Sequence, residues 1–154
     1  METGPKKRFS TTERKHWIEL LSSASVEDLR RARKRLDKEI DYDFIVKPES
    51  GTLMVQARAD GDSARFNLGE VGVSKCVLQV LGQYMGYGMV VGNSDEHAEL
   101  AALFDGLLQA PQYHDDLKKN LIKGLAKKQK QKDQASRKET AQTKVEFFTL
   151  KKSE

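Results

Sequence analysis

Apolar side chains recur every three or four positions through the first forty residues: Trp17, Leu20, Leu21 and Ala24, then Val26, Leu29, Ala32, Leu36 and Ile40. That spacing predicts two amphipathic helices, because positions three and four apart share one helix face. Each has a start signal. Ser10 followed by Glu13, and Ser25 followed by Asp28, put a hydroxyl at the cap and an acid in the first turn, where they meet the unpaired N–H groups. The second helix has only a thin apolar stripe on a charged cylinder. From Tyr42 the period falls to two. Tyr42, Phe44 and Val46 alternate with Asp43, Ile45 and Lys47, and Leu53, Val55 and Ala57 alternate with Met54, Gln56 and Arg58. Pro48-Glu49-Ser50-Gly51 between them reads as a turn, so a hairpin is expected. Ala59 to Ala64 is a loop by composition. Val71 to Leu81 alternates again and, after a turn at Gly82-Gln83, Tyr84 to Val91 gives another strand. Short connections between successive strands predict an antiparallel meander of about four strands.

Helical periodicity returns after Asn93, with Glu96 at the third helical position and Leu100, Ala101, Leu103, Phe104, Leu107 and Leu108 on a broad apolar face that should cross the sheet. Pro111 ends that helix. Another is expected near Asp115, with Leu117, Leu121, Ile122 and Leu125 as its last strong apolar positions. Ala126 to Lys144 has no apolar stripe, so a helix there projects into solvent or lies on a partner. Val145-Glu146-Phe147-Phe148-Thr149-Leu150 restores bulky, β-prone residues and is expected to dock as a strand, on this chain's own sheet or in another subunit. The fold class is α+β: N-terminal helices, about a four-stranded antiparallel meander covered by helices, an extended basic helix and a C-terminal strand. The expected divisions are a disordered basic tail at 1–9, an α+β domain at 10–125, a basic helical extension at 126–144 and a C-terminal strand or docking segment at 145–154.

A length of 154 residues suits one ordinary domain. The apolar runs are too short to span a bilayer and the N-terminus lacks an apolar signal core, so a cytoplasmic location is expected. A lone cysteine, Cys76, excludes an intrachain disulfide and a Cys-pair zinc site and reads as a small buried hydrophobe. The net charge of +4 is unevenly spread: Leu117 to Lys138 holds nine lysines and arginines against one acid, Asp133. Such a run suits RNA, a phosphate-rich ligand or an acidic partner, and equally a solvated helix face.

Candidate chemistry is sparse. His97 and Glu99 stand two positions apart, which on a helix points them to opposite sides, so His97-Ala98-Glu99 is no local metal site. His97 is either a satisfied histidine near a helix start or a functional contact. His16 and His114 have no recognisable sequence partners. No catalytic set and no phosphate-cradling glycine loop is found, and Gly86, Gly88 and Gly92 read instead as allowing a flat or closely approached strand. Arg58, Arg65 and Lys75, beside an expected loop at Phe66 to Glu70, are the candidate phosphate contacts, since guanidinium presents a fork to phosphate oxygens. Surface ion pairs with Asp60, Asp62 or Glu70 are the ordinary alternative. Phe147 and Phe148 are candidate interface residues.

Phe66-Asn67-Leu68-Gly69-Glu70, His97-Ala98-Glu99 and Val145-Glu146-Phe147-Phe148-Thr149, in that order, resemble the PhnG family, a component of the bacterial phosphonate carbon–phosphorus lyase core complex. Gln56-Ala57-Arg58, Lys75-Cys76 and Ala101-Ala102-Leu103-Phe104-Asp105 extend the likeness over about Lys15 to Leu150. The resemblance implies a hetero-oligomer with subunits H, I and J, with direct contact expected with subunit I. It implies a pathway that exchanges the adenine of ATP for a phosphonate at ribose C1′, before a radical subunit cleaves the carbon–phosphorus bond. It further implies no independent catalytic centre and no cofactor bound by this chain alone. Mg-ATP, and S-adenosylmethionine with an iron–sulfur cluster in the radical subunit, serve the complex. At Asn93-Ser94-Asp95-Glu96 the chain departs from the family, many of whose members carry basic residues there, which weakens any anion-binding role for that helix start. The competing readings are a basic RNA-binding module, which lacks the usual aromatic platform and clamp loop, and a small hydrolase, which lacks a motif.

Overall fold

The computed structural model describes residues 9–36, 39–58 and 65–152. The expected loop at 59–64 and nearly all of the expected basic tail lie outside them. Helices α1 (Thr11–Ser23) and α2 (Val26–Lys34) open the chain. Ser10 and Ser25 cap them, their hydroxyls accepting from the amides of Glu13 and Asp28. Strands β1 (Tyr42–Arg58), β2 (Arg65–Val80) and β3 (Tyr84–Val91) form one antiparallel sheet in the order β1-β2-β3. Then come α3 (Asp95–Gln109), α4 (Pro111–Leu117), a π-helical turn (Lys118–Ile122) and α5 (Lys123–Lys152).

Four expectations need correction. The sheet has three strands, because Pro48-Glu49-Ser50-Gly51 is no turn: β1 runs through it with irregular register between Phe44 and Val46 and between Val46 and Glu49. A proline cannot donate to a ladder, and an edge strand with a bulge absorbs it. Phe66 to Glu70 lies within β2, paired with Met54 to Ala57, and forms no loop. The Val145–Leu150 segment continues α5, so there is no C-terminal strand among the described residues. Good helix formers upstream propagate the helix, and propagation costs far less than starting a new element. The helix boundaries also move: Ser94, not Asn93, caps α3, and α4 begins at Pro111, where a missing N–H and a fixed φ suit the first helical position.

α3 is the centre of the molecule. Eleven of its fifteen residues are buried, between the sheet on one side and α1, α2 and α4 on the other. It lies unusually close to β3. A Cβ on Gly86 would collide with the Ala102 carbonyl oxygen, and one on Gly88 with that of Ala98. Ala98, Ala102 and Gly106, spaced four apart, form the matching small-residue seam on α3. The rest of the core is Leu21, Leu29, Leu78, Val80, Leu103, Phe104, Leu107 and Leu108, joined by Leu117, Leu121, Ile122 and Leu125 below.

Within this core sits one carboxylate, Asp105, fully buried. Arg14 donates to both of its oxygens, from Nε at 3.2 Å and from Nη2 at 2.9 Å. The indole Nε1 of Trp17 donates to Oδ1 at 2.8 Å and the amide of Tyr87 to Oδ2 at 2.9 Å. Asp105 thereby fixes α1 and β3 to α3.

Replacing Asp105 with Ala should destabilise the protein by about 3 kcal/mol or more, since the Trp17 and Tyr87 donors are left buried and unpaired. Gly86→Ala should cost about 1–3 kcal/mol through overpacking against helix backbone. Urea denaturation of each variant measures both, and a change under about 0.5 kcal/mol in either, the scale of a bland surface substitution, contradicts that assignment.

Candidate functional site

β1 and β2 are far longer than β3, which pairs only with Val73 to Val80. Beyond that stretch Thr52 to Arg58 and Arg65 to Gly72 continue as a two-stranded arm. Burial divides the ribbon accordingly. Cys76, Leu78 and Val80 are buried beneath the helices, whereas every residue from Arg65 to Glu70 is exposed. On the arm both faces carry apolar groups in water: Leu53, Met54 at 55% exposure, Val55, Phe66, and Leu68 at 63%. A two-stranded ribbon is marginal by itself, and a contiguous apolar surface of this kind marks an interaction site. Met85, Tyr87 and Val91, exposed on the side of β3 opposite Gly86, Gly88 and Val90, add apolar surface to the sheet.

The candidate phosphate contacts separate into two places. Arg58 and Arg65 are cross-strand partners at the outer end of the arm. Lys75 lies ten residues further along β2, roughly 33 Å away at the rise of a strand. Its ammonium is 3.1 Å from Glu49, its cross-strand neighbour. No single phosphate group can touch all three.

His97 and Glu99 fall on α3 and point to different neighbours. The ring of His97 is buried and donates from Nε2 to the Leu21 carbonyl oxygen at 3.0 Å, joining the start of α3 to α1. Glu99 accepts from the Tyr42 hydroxyl at 2.7 Å and holds the start of β1. Burial, and then this carboxylate, push the Tyr42 phenol up to about 12. Beside them Cys76 is buried, and desolvation, reinforced by Glu99 and Asp95, raises its thiol to about 11. Ser74, also buried, donates to the Gly92 carbonyl at 2.9 Å and accepts from the Ser94 amide at 3.0 Å, with the Ser50 hydroxyl 3.0 Å away. This polar knot ties β1, β2 and the entry to α3. Its groups are bonded to one another. Phe147 and Phe148 lie on α5, and their side chains fall outside the described residues. Among the described residues no group of three His, Cys, Asp or Glu converges to hold a metal, and no helix is long and apolar enough to cross a membrane.

Sequence reasoning missed Asp105, Arg14, Tyr42 and Ser74. One signal was available for the first, a lone carboxylate amid the apolar run Leu103-Phe104 to Leu107-Leu108. The exposure of Leu53 and Leu68 had no local signal, because alternation says which residues share a face and not whether anything covers it.

Raised thiol and phenol values have a definite sign. Both favour the neutral form in the fold, so their contribution to stability is complete below the ordinary thiol and phenol ranges and is lost as pH climbs towards 11 for Cys76 and 12 for Tyr42. At pH 8 about one thiol in a thousand is ionised. Iodoacetamide should therefore label Cys76 no faster than the chain unfolds, as followed by mass spectrometry; labelling at the rate of a free thiol contradicts this placement.

The model of the family described as phosphonate metabolism protein PhnG matches residues 12–152. The chain is also similar to a protein of Rhizobium meliloti (strain 1021) named alpha-D-ribose 1-methylphosphonate 5-triphosphate synthase subunit PhnG, at 30% identity over 142 residues, which cover 92% of this chain and 90% of that protein. The matched span takes in α1 from its second residue, α2, the arm, the buried Asp105 and the whole of α5, and the chain belongs to the PhnG family of phosphonate metabolism proteins.

Proposed function

We propose that this chain is an accessory subunit of the carbon–phosphorus lyase core complex, supporting transfer of a phosphonate onto ribose C1′ of ATP with release of adenine. In that exchange a phosphonate oxygen forms the bond to C1′ as the bond to the adenine nitrogen breaks. The name of the Rhizobium meliloti relative, a synthase subunit, supports the assignment. The single observation that carries the subunit role is the arm, apolar on both faces and projecting beyond the helices. It also bears Gln56-Ala57-Arg58 and Phe66-Asn67-Leu68-Gly69-Glu70.

The division of labour follows from the chemistry. His97, His114, Asp105 and Ser74 are each spent on internal hydrogen bonds, His114 donating from Nδ1 to Leu108 O at 2.7 Å. The reacting groups then come from other subunits, with Mg-ATP bound there and S-adenosylmethionine and an iron–sulfur cluster confined to the radical subunit. This chain docks its arm on subunit I, within an assembly that includes H and J, in the cytoplasm. The adjacent Arg58 and Arg65 are placed to bring positive charge to a polyphosphate at that junction, where water is excluded and a cation acts more strongly. Lys75, held by Glu49, stays out of it. Phe147 and Phe148, on the far part of α5, form a second contact with the complex.

Co-purification tests the docking. Phe66→Ser with Leu68→Ser should leave the denaturation midpoint nearly unchanged, since both residues are exposed, and should weaken assembly with subunits I, H and J about tenfold or more. A double variant that assembles normally sinks the arm as the docking element. In steady-state assays of the assembled complex, Arg58→Ala with Arg65→Ala should lower kcat/KM, whereas Lys75→Ala should not. Equal, negligible effects leave the chain a scaffold alone.

A further inference from the structure

α2 and the segment running from the π-helical turn into α5 face each other across a cleft of about 190 Å³. Its floor is apolar, made by Ala32, Leu121 and Leu125. Its rim is cationic. Arg31 and Arg35 line it from one face of α2, four residues apart, and Asn120 and Lys128 line it from the other side. At one end stands Lys128, whose ammonium is 2.8 Å from both carboxylate oxygens of Asp28. Three cations against one carboxylate leave two positive charges unbalanced.

The arginines of α2 are not alike. Arg30 is engaged, with Glu96 on both oxygens at 2.8 Å and with Glu27 at 2.7 Å. Arg31 and Arg35 make no side-chain hydrogen bond or ion pair with a described residue, although both border the cleft. Two further features keep the space open. A Cβ on Gly124 would meet nothing within 4 Å. The π-helical turn Lys118–Ile122 carries both Asn120 and Leu121 into the lining. Such turns give up regular helix hydrogen bonding and concentrate at functional sites.

We propose that this cleft binds a tetrahedral phosphorus oxyanion, a phosphate or phosphonate dianion, between Arg31 and Arg35 with Lys128 at its end; Asn120, whose Nδ2 donates to Asp116 Oδ1 at 2.6 Å, borders the site without completing it. Two guanidinium forks that no described residue hydrogen-bonds match the oxygens of such a group, and among the described lining residues its two negative charges match the two positive charges in excess. A cleft of about 190 Å³ suits a compact anion better than an extended acidic peptide. The apolar floor accommodates a small substituent on phosphorus. This inference stands on the cleft alone and is independent of the arm and of any partner.

Titration of the full chain into methylphosphonate and, separately, inorganic phosphate, followed by 31P NMR at about 150 mM NaCl where exposed charges are screened, tests it. Saturable broadening by either anion is expected, the tighter of the two naming the source. Arg31→Gln with Arg35→Gln should weaken it at least about tenfold, equivalent to 1.4 kcal/mol. Arg31→Lys with Arg35→Lys, which keeps the charge and loses the fork, should give an intermediate affinity. Lys127→Gln with Lys130→Gln, on α5 outside the cleft lining, should leave it unchanged. Circular dichroism checks that each variant folds. Broadening that never saturates, equal weakening by the arginine and lysine pairs, or displacement of the anion by an equimolar hexaglutamate peptide overturns the proposal.

Discussion

A carboxylate buried at position 105 organises this protein. An ionised group taken out of water is costly unless its oxygens are filled with donors, and here four N–H groups from three residues converge on one side chain. The geometry leaves little slack. α1 must present Arg14 and Trp17 on one face, and β3 must bring its backbone amide at Tyr87 within reach of α3. That second demand explains the glycines: a sheet strand can approach a helix this closely only where neither carries a side chain larger than a methyl group, as along Gly86, Gly88, Ala98, Ala102 and Gly106. Hydrophobic burial supplies most of the stabilisation of the core, but it is non-directional, and Asp105 contributes the alignment.

The same sheet serves two purposes along its length. Where β3 pairs and α3 covers, β2 alternates between core and solvent; past Gly72 the strands lose both neighbours and their apolar residues face water. In the covered half β2 is hydrogen-bonded on both sides, to β1 and to β3, whereas in the arm it keeps β1 alone, so the division lies in pairing as well as packing. On this apolar arm basic charge is confined to its outer end, at Arg58 and Arg65; elsewhere it is concentrated on the helices. It gathers on α2 and α5, where Lys128 to Asp28 and, from the adjoining π-helical turn, Lys118 to Glu13 join the C-terminal segment to the first two helices. Exposed pairs of that sort add little stability, but they orient one helix on another.

Much of this is legible in sequence where the cause is local. Serine caps at Ser10 and Ser25, the 3.6-residue stripe of α1, that of α2 through Ala32, and the period-two stretches all follow from a residue's near neighbours. Leu36 and Ile40, read as part of the second stripe, lie beyond the end of α2, and the close approach at Gly86 and Gly88, one of two readings of those glycines, is decided by α3. Sequence reading fails where a distant element decides. Pro48 reads as turn punctuation because nothing nearby shows that β2 is long enough to pair on both sides of it, and with that pairing a bulge replaces the turn. Phe147 and Phe148 have strand propensity, yet they follow a long run of helix formers and continue it. The candidate site is least legible. Arg65 and Lys75 are close in sequence and far apart in space because they lie along one extended strand, and the cleft beside Arg31 exists only once residues some ninety positions later pack against α2.

Those wide separations also shape how the chain reaches its fold during synthesis. The contacts from Arg14 and Trp17 to Asp105 span 91 and 88 residues, and those from Lys118 to Glu13 and from Lys128 to Asp28 span 105 and 100. While a ribosome is still adding β3, the helix that will cover the sheet does not exist, and the first two helices have no floor to pack on. Loop closure over such distances must precede its reward, so the order of assembly is late and collective rather than sequential. For several seconds at ordinary elongation rates, of the order of 5–20 residues per second, a bare ribbon with two open edges waits uncovered. The nascent chain at that stage is a natural client for a chaperone.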